Sequence, residues 1–195
     1  VSAAALIRKH TLYPFYAPFL PPERSQQILK ALKSDQGGSI HDQIGIRASV
    51  IKTPKFLRFC PQCAKQDQAT WGELYWHRSH QVPGILICPH HRALLQNSQV
   101  PYQGLNRHEY IAASPQNCPT QPAQFSPSLD TRQVLADLSQ DAFYLLEHFL
   151  APRDAQWFRQ QYLTLLIDRG LATATGRVYQ QDLLHQFRYF YGRAV

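Results

Sequence analysis

The chain reads Cys60-Pro61-Gln62-Cys63 and, after twenty-four further residues, Cys88-Pro89-His90-His91. Two pairs of the type C-x2-C or C-x2-H can supply four thiolate and imidazole ligands to one tetrahedral ion, the arrangement that structural zinc prefers. Cys60, Cys63, Cys88 and His91 are therefore predicted to bind Zn2+, with His90 as the alternative to His91. Because the segment has few apolar residues, metal binding is expected to drive its folding.

Two other interpretations of these residues stay open from the sequence. The first is that they are ordinary buried residues, which the double spacing disfavours. The second is a catalytic zinc with an open coordination position, for which Glu73 or His80 would be the general base. Cys118 lies in a polar segment and is interpreted as an idle thiol. Metal-like spacing of the other cysteines indicates a reducing compartment, so a cytoplasmic location is expected.

Basic residues are concentrated at the start of the chain. The net charge is +7, and residues 1–60 hold nine basic and three acidic side chains, whereas residues 119–195 hold seven of each. This asymmetry indicates a polyanionic partner, with nucleic acid first and a membrane surface second. No apolar run approaches the roughly 18 residues of a membrane span, so no transmembrane segment is expected. The candidate phosphate-binding residues are Arg8, Lys9, Arg47, Lys52, Lys55 and Arg58.

The pattern along the chain predicts a mainly α fold with a small zinc-knuckle β-ribbon region, in a two-part architecture. Residues 1–96 are predicted to form a zinc-binding domain and residues 129–195 a helical domain. Between them, residues 97–128 are rich in Pro, Gln, Asn and Ser and are predicted to be a linker or a long loop over the first domain. Helical periodicity is found over residues 1–10, 23–34, 40–46, 70–80, 131–150, 154–169 and 179–191. The aromatic, proline-rich run 13–22 is predicted to be a loop packed on the core, and residues 85–87 a short strand.

The last two helices are joined by a Gly-containing connector over residues 170–178. They are interpreted as a helix-turn-helix-like pair, although such turns are usually about three to four residues long. A helix of this kind would read base edges in the major groove. The candidate DNA contacts are then Arg177, Gln180, Gln181, His185 and Arg188. A helical bundle that packs on the zinc-binding domain or on a partner is the alternative.

Several motifs together resemble the zinc-binding core of the TniQ/TnsD family, the target-site selectors of bacterial cut-and-paste transposons. The run from His10 to Phe19 is similar to the TnsD branch of that family, as is the tail from Gln156-Trp157 through Gly170-Leu171. The motifs of the zinc-binding core are Phe59-Cys60-Pro61-x-Cys63, Trp76, His80, Pro83-Gly84, Cys88-Pro89-x-His91 and Leu94-Leu95.

The resemblance implies a DNA-binding protein without catalytic activity, located in the bacterial cytoplasm on the chromosome. Such a protein binds a double-stranded attachment site and recruits an AAA+ ATPase, which engages the transposase complex. It also implies that this chain is a fragment, because the family's opening helices would precede Val1 and TnsD-type proteins usually extend past Val195.

Two further functions compete with the DNA-binding target selector. One is a zinc-stabilised protein-interaction adaptor, with Tyr13, Phe15, Tyr16 and Phe19 as a docking patch, although core packing is favoured for these aromatics. The other is a zinc hydrolase or nuclease. No Gly-rich phosphate loop, clustered carboxylate pair or Ser/His/Asp arrangement occurs in the sequence, so an enzyme is not expected.

Overall fold

The computed structural model describes residues 1–34, 38, 40–46, 49–104, 106, 109–122 and 126–191. Its helices are α1 (Ala3–His10), α2 (Tyr13–Tyr16), α3 (Pro22–Ala31), α4 (Ile40–Ile44), α5 (Pro61–Trp71), α6 (Leu129–Glu147), α7 (Ala155–Asp168) and α8 (Gln180–Tyr191). Short 3-10 turns span Ala17–Phe19 and Arg78–Gln81, and the strands are β1 (Phe56–Phe59) and β2 (Gln96–Pro101). A mainly α fold with a small β-ribbon is therefore confirmed.

The ribbon places the two predicted ligand pairs side by side. Strands β1 and β2 are antiparallel, and Phe59, the residue before the first cysteine, pairs with Gln96. An isolated bridge between Ile87 and Leu94 closes the second ligand pair into a tight turn. The strand predicted at residues 85–87 is reduced to this single bridge. Strand β2 occupies the start of the segment predicted as a linker, so part of that segment belongs to the ribbon.

The helix predicted over residues 70–80 is wrong. Helix α5 instead begins at Pro61, where a missing N–H is tolerated, and ends before Gly72, whose φ of 77° is left-handed. The apolar residues that suggested a later helix do not form a buried face, since Trp71 is 69% exposed and Tyr75 is 47% exposed. Helix α5 therefore starts directly on the first ligand pair.

The aromatic run near the N-terminus is helical, which corrects the loop prediction. Pro14 and Pro18 lie in the first turn of α2 and of the following 3-10 turn, where no backbone donor is required. The Tyr13 hydroxyl is buried and hydrogen-bonded to Ser25 Oγ at 2.7 Å. Phe19, in contrast, is half exposed. The core of this region consists of Ile7, Tyr13, Ala17, Leu20, Ile28 and Ile40.

Helix α6 packs on the part of the chain that carries the predicted metal ligands. Ala142 and Leu146 share a buried cluster with Val82 and Ile85, which precede the second ligand pair. The first helix of the predicted C-terminal domain therefore shares a core with residues of the predicted N-terminal domain. The three-segment division of the chain itself stays a prediction.

Helices α7 and α8 are joined by a small hairpin instead of a short turn. Thr173 donates its backbone N–H to the Arg177 carbonyl at 2.9 Å, and Gly176 adopts a φ of 89° at the tip. Helix α7 has no buried residue, and its contacts with the N-terminal part include a stack of Phe158 on Phe19 with centroids 5.4 Å apart. The helix-turn-helix interpretation of this pair stays a prediction.

Among the described residues, no helix combines the length and the apolar character required to span a membrane.

Candidate metal centre

The first ligand pair lies at a corner between a strand and a helix. Cys60 follows β1 in extended conformation and is the N-cap residue of α5, while Cys63 lies in the first turn of that helix. The Cys60 carbonyl accepts the Ala64 backbone N–H at 2.9 Å, which closes the turn. Because both residues belong to one tight turn, their sulfurs point towards a common location.

The second ligand pair lies in a turn held by backbone hydrogen bonds. The Arg92 N–H donates to the Cys88 carbonyl at 2.9 Å, and the Cys88 N–H donates to the Ala93 carbonyl at 2.8 Å. Arg92 has a left-handed φ of 52°, which non-glycine residues seldom adopt. This turn aims Cys88 and His91 back towards the first pair.

The four predicted ligands converge. One ligand atom from each of Cys60, Cys63, Cys88 and His91 lies within 4.8 Å of all the others. The Cys63 and Cys88 sulfurs are 3.6 Å apart, and His91 Nδ1 is 3.2 to 3.8 Å from the three sulfurs. A tetrahedral zinc with Zn–S bonds of about 2.3 Å separates its sulfurs by about 3.8 Å. The donor set and its spacing fit such an ion, and the group can hold a metal.

The choice between the two neighbouring histidines is clear from the geometry. His91 Nδ1 faces the three sulfurs, whereas the His90 ring packs edge-on against Phe143 at 4.8 Å. His91 therefore completes the cluster, in agreement with the C-x2-H spacing.

Among the three thiols of the cluster, the surroundings favour ionisation of Cys60 and disfavour ionisation of Cys63 and Cys88. Cys63 and Cys88 hydrogen-bond to the Cys60 sulfur, which lowers the pKa of Cys60 well below its usual range. The same hydrogen bonds to Cys60 raise the pKa of Cys63 and of Cys88. Thiols bind a metal as thiolates, so metal binding to this cluster would release protons.

Further histidines lie beside the cluster. His80 is almost fully buried, and its Nε2 is 3.8 Å from Cys63 Sγ. His77 packs against His80 with centroids 4.8 Å apart and bonds through Nε2 to the buried Asp67 carboxylate at 2.8 Å. The sequence indicates neither Asp67 nor His77, because their spacing matches no ligand motif. Glu73, the other residue considered as a general base, is exposed.

The prediction that Arg58 contacts DNA is corrected by the structure, because Arg58 is buried. Its side chain is 6% exposed, and its guanidinium donates to the carbonyls of Val82, at 2.6 Å, and of Ile85. Its backbone N–H and carbonyl are hydrogen-bonded to the Gln81 side chain at 3.0 and 2.8 Å. Burial lowers the pKa of Arg58 to about 10, so the guanidinium stays charged near neutral pH. Arg58 connects the strand before Cys60 to the loop before Cys88.

Helix α6 caps the second ligand pair from outside. Ser139 Oγ donates to the buried Ile87 carbonyl at 2.6 Å, and Gln140 Nε2 donates to the Pro89 carbonyl. Arg132 reaches the Arg92 carbonyl at 3.1 Å. The carbonyls of the turn, which have no strand partner, are thus satisfied by polar side chains of a helix far away in sequence.

Other basic residues of the N-terminal part remain accessible. Arg8 holds its guanidinium 5.2 Å from the Phe149 ring centroid, and the Lys52 ammonium donates to the Ser49 carbonyl at 2.8 Å. Arg47 lies outside the described residues. The predicted basic contacts with exposed side chains are Arg8, Lys9, Lys52 and Lys55.

The candidate contacts of the C-terminal part are exposed as well: Arg177, Gln180, Gln181, His185 and Arg188. Gln181, His185 and Arg188 recur at helical spacing along α8 and so share one face.

Comparisons with known proteins agree with these features. Residues 1–95 match the TniQ family, and residues 138–195 match Tn7-like transposition protein D. The chain is 36% identical over 90 residues to the transposon Tn7 transposition protein TnsD of Escherichia coli. That alignment covers 46% of this chain and 18% of the relative. With the Cys/His cluster inside the first match, these findings establish that the chain belongs to the TniQ/TnsD family.

Proposed function

We propose that this protein is a DNA-binding target-site selector of a bacterial transposon, with a structural zinc and no catalytic activity of its own. The observation that carries the proposal is a four-ligand cluster inside a TniQ match, on a chain that also carries a TnsD-type match. As in the resemblance, the partners are a double-stranded attachment site and an AAA+ transposition regulator, which engages the transposase complex.

A structural role for the metal is supported by the ligand count and by burial. Three thiolates and one imidazole fill a tetrahedral shell, so no coordination position is left for a substrate or water. The three cysteines of the cluster are buried, whereas Glu73 is exposed. Bound zinc here supplies cross-linking of the two turns, and it stabilises the fold by its binding free energy.

DNA binding is supported by two exposed sets of residues. The N-terminal set of Arg8, Lys9, Lys52 and Lys55 can neutralise phosphates, which gives affinity without sequence preference. The α8 face of Gln181, His185 and Arg188 carries side chains that pair with base edges, which gives specificity. We assign positioning to the first set and base readout to the second.

The second candidate function is a zinc-stabilised protein-interaction adaptor that does not bind DNA itself. It is favoured by the exposed aromatic side chains of the last two helices, such as Trp157 and Tyr162. Phe19, from the patch considered in the sequence, is half covered by α7, and Tyr13 is buried. An adaptor surface would therefore lie on α7 and α8 and not on the N-terminal aromatic run.

The test is fluorescence anisotropy of the zinc-loaded chain with duplex DNA, comparing the attachment site with a scrambled duplex across a salt series. The proposal predicts tighter binding to the attachment site and an affinity that falls steeply with salt. Binding that is equal on both duplexes would remove base readout from this chain. No binding at low salt would favour the adaptor.

A further inference from the structure

We propose that His80 donates an Nε2–H hydrogen bond to the Cys63 thiolate, and that this bond positions and stabilises the metal-bound sulfur. The inference rests on the metal site of the proposed function. It goes beyond the four ligands, because His80 is not one of them. The four metal ligands would then be supported by a hydrogen-bond donor from outside the ligand set, which lies in the 3-10 turn Arg78–Gln81.

The position of the His80 imidazole is the first observation that supports this hydrogen bond. His80 is 1% exposed, and its Nε2 is 3.8 Å from Cys63 Sγ, within the range for hydrogen bonds to sulfur. Cys63 Sγ also lies 3.6 Å from Cys88 Sγ and 3.2 Å from His91 Nδ1. His80 therefore approaches a sulfur that already faces the other ligands.

The other ring nitrogen decides which tautomer is present. His80 Nδ1 is buried and has no hydrogen-bond partner among the described residues. A proton on Nδ1 would leave a buried donor unsatisfied, which costs about 1–3 kcal/mol. A proton on Nε2 instead finds the Cys63 sulfur and leaves at Nδ1 an acceptor, the less costly group to leave unpaired.

The charge of the metal-loaded site explains why a hydrogen bond from His80 would stabilise it. Three thiolates and a neutral imidazole around a divalent cation leave a net charge of −1 in a buried location. A hydrogen bond to a thiolate spreads that charge, and partners of this kind orient metal ligands and strengthen metal binding. In the described part of the chain, no Lys or Arg side chain donates to the three sulfurs, and His80 is the donor that lies against Cys63.

A second metal ion is the competing arrangement. Cys63, His77 and His80 also place one ligand atom each within 4.8 Å of one another. The contact of His77 Nε2 with Asp67 leaves Nδ1 as the His77 atom that such an ion would take. A second ion would share Cys63 with the first and would add only neutral imidazoles, so little would offset the repulsion between two divalent cations. The donor arrangement requires no such compensation.

The experiment loads the whole chain with 113Cd2+ and records correlations between cadmium and protons. A scalar coupling between cadmium and the exchangeable Hε2 of His80 is expected, since such couplings pass through N–H···S bonds. A His80 ring whose Nε2 carries no proton would overturn the proposal, as would two metal ions per chain. A wild-type chain that binds no metal would instead refute the zinc site of the proposed function.

Two variants test the energetic role. His80→Leu removes the donor and is expected to lower zinc affinity about 10- to 100-fold, whereas His80→Gln keeps an N–H near the Nε2 position and is expected to retain most of it. The matched control is His41→Leu, an exposed histidine on α4, which should bind zinc as the wild type does. Equal zinc affinity of the His80→Leu variant and the control would overturn the proposal. If the His80→Leu variant fails to fold, the cadmium coupling in the wild type still decides the matter.

Discussion

Replacing Arg58 with Met tests whether a basic residue beside the metal cluster is structural. The substitution keeps an unbranched side chain but removes the guanidinium, which donates to the buried carbonyls of Val82 and Ile85. Hydrogen bonds from charged donors contribute about 1.5–3 kcal/mol each, so two of them set an upper range of about 3–6 kcal/mol. Removing a buried charge offsets part of this loss. We therefore expect the free energy of unfolding to fall by about 3 kcal/mol.

The assay is urea denaturation of the zinc-loaded chain at a fixed free zinc concentration, because bound metal adds to the apparent stability. The matched control is Lys55→Met, which removes an exposed cation from the same segment and should change the unfolding free energy by less than about 0.5 kcal/mol. At a urea concentration where the Arg58→Met variant is folded, its DNA affinity should equal that of the wild type.

Two results would refute this reasoning. An unfolding free energy equal to that of the Lys55→Met control would show that the hydrogen bonds of Arg58 contribute nothing to the fold. Weaker DNA binding at unchanged stability would return Arg58 to the DNA-contacting set.

Three further predictions concern the site and its surroundings. Cys88→Ser should abolish stoichiometric zinc binding, measured by elemental analysis of the purified chain; a variant with full zinc and an unchanged melting curve would refute the ligand assignment. Ser139→Ala leaves the Ile87 carbonyl unsatisfied and should lower the free energy of unfolding by about 1–3 kcal/mol, measured by urea denaturation. Replacing Lys52 and Lys55 together with Ala should weaken binding equally on all duplexes and reduce the salt slope by about 2, as anisotropy would show; an unchanged slope would make them ordinary surface cations.

The metal cluster could be predicted from sequence because its information is local. A C-x2-C or C-x2-H turn brings its two ligands together whatever the rest of the chain does, so Cys60, Cys63, Cys88 and His91 are found by spacing alone. The long C-terminal helices are also local, since their apolar residues recur with helical period over several turns.

Long-range contacts explain what the sequence does not reveal. Arg58 looks like a surface cation because nothing nearby in sequence indicates that the carbonyls of Val82 and Ile85 need a donor. Similarly, the sequence indicates His80 only as a general base or a family motif residue, and the hydrogen-bond role that we propose for it rests on the fold, which places it against Cys63.

Helix α6 shows the same limit for an apolar pattern. Its periodicity places Leu138 and Ala142 on one apolar face, but Leu138 is 46% exposed, whereas Ala142 and the polar Ser139 are buried. The buried face uses small residues such as Ala136 and Ala142, which allow close approach to the metal-binding turn, and a hydroxyl that satisfies its carbonyl. Hydropathy cannot register a polar side chain that is buried because a distant acceptor requires it.

The capping of the second ligand pair by α6 has a consequence for synthesis of the protein. Ser139 lies 52 residues after its acceptor on Ile87, so the ribosome makes all four ligands well before the helix that covers them. At about 5–20 residues per second, this interval lasts about 3–10 s. During that time the turn is open to water and to any metal ion it can bind, and docking of α6 then covers its carbonyl groups. Metal acquisition during translation would thus precede burial, and a chain that missed it would have to expose the turn again to load.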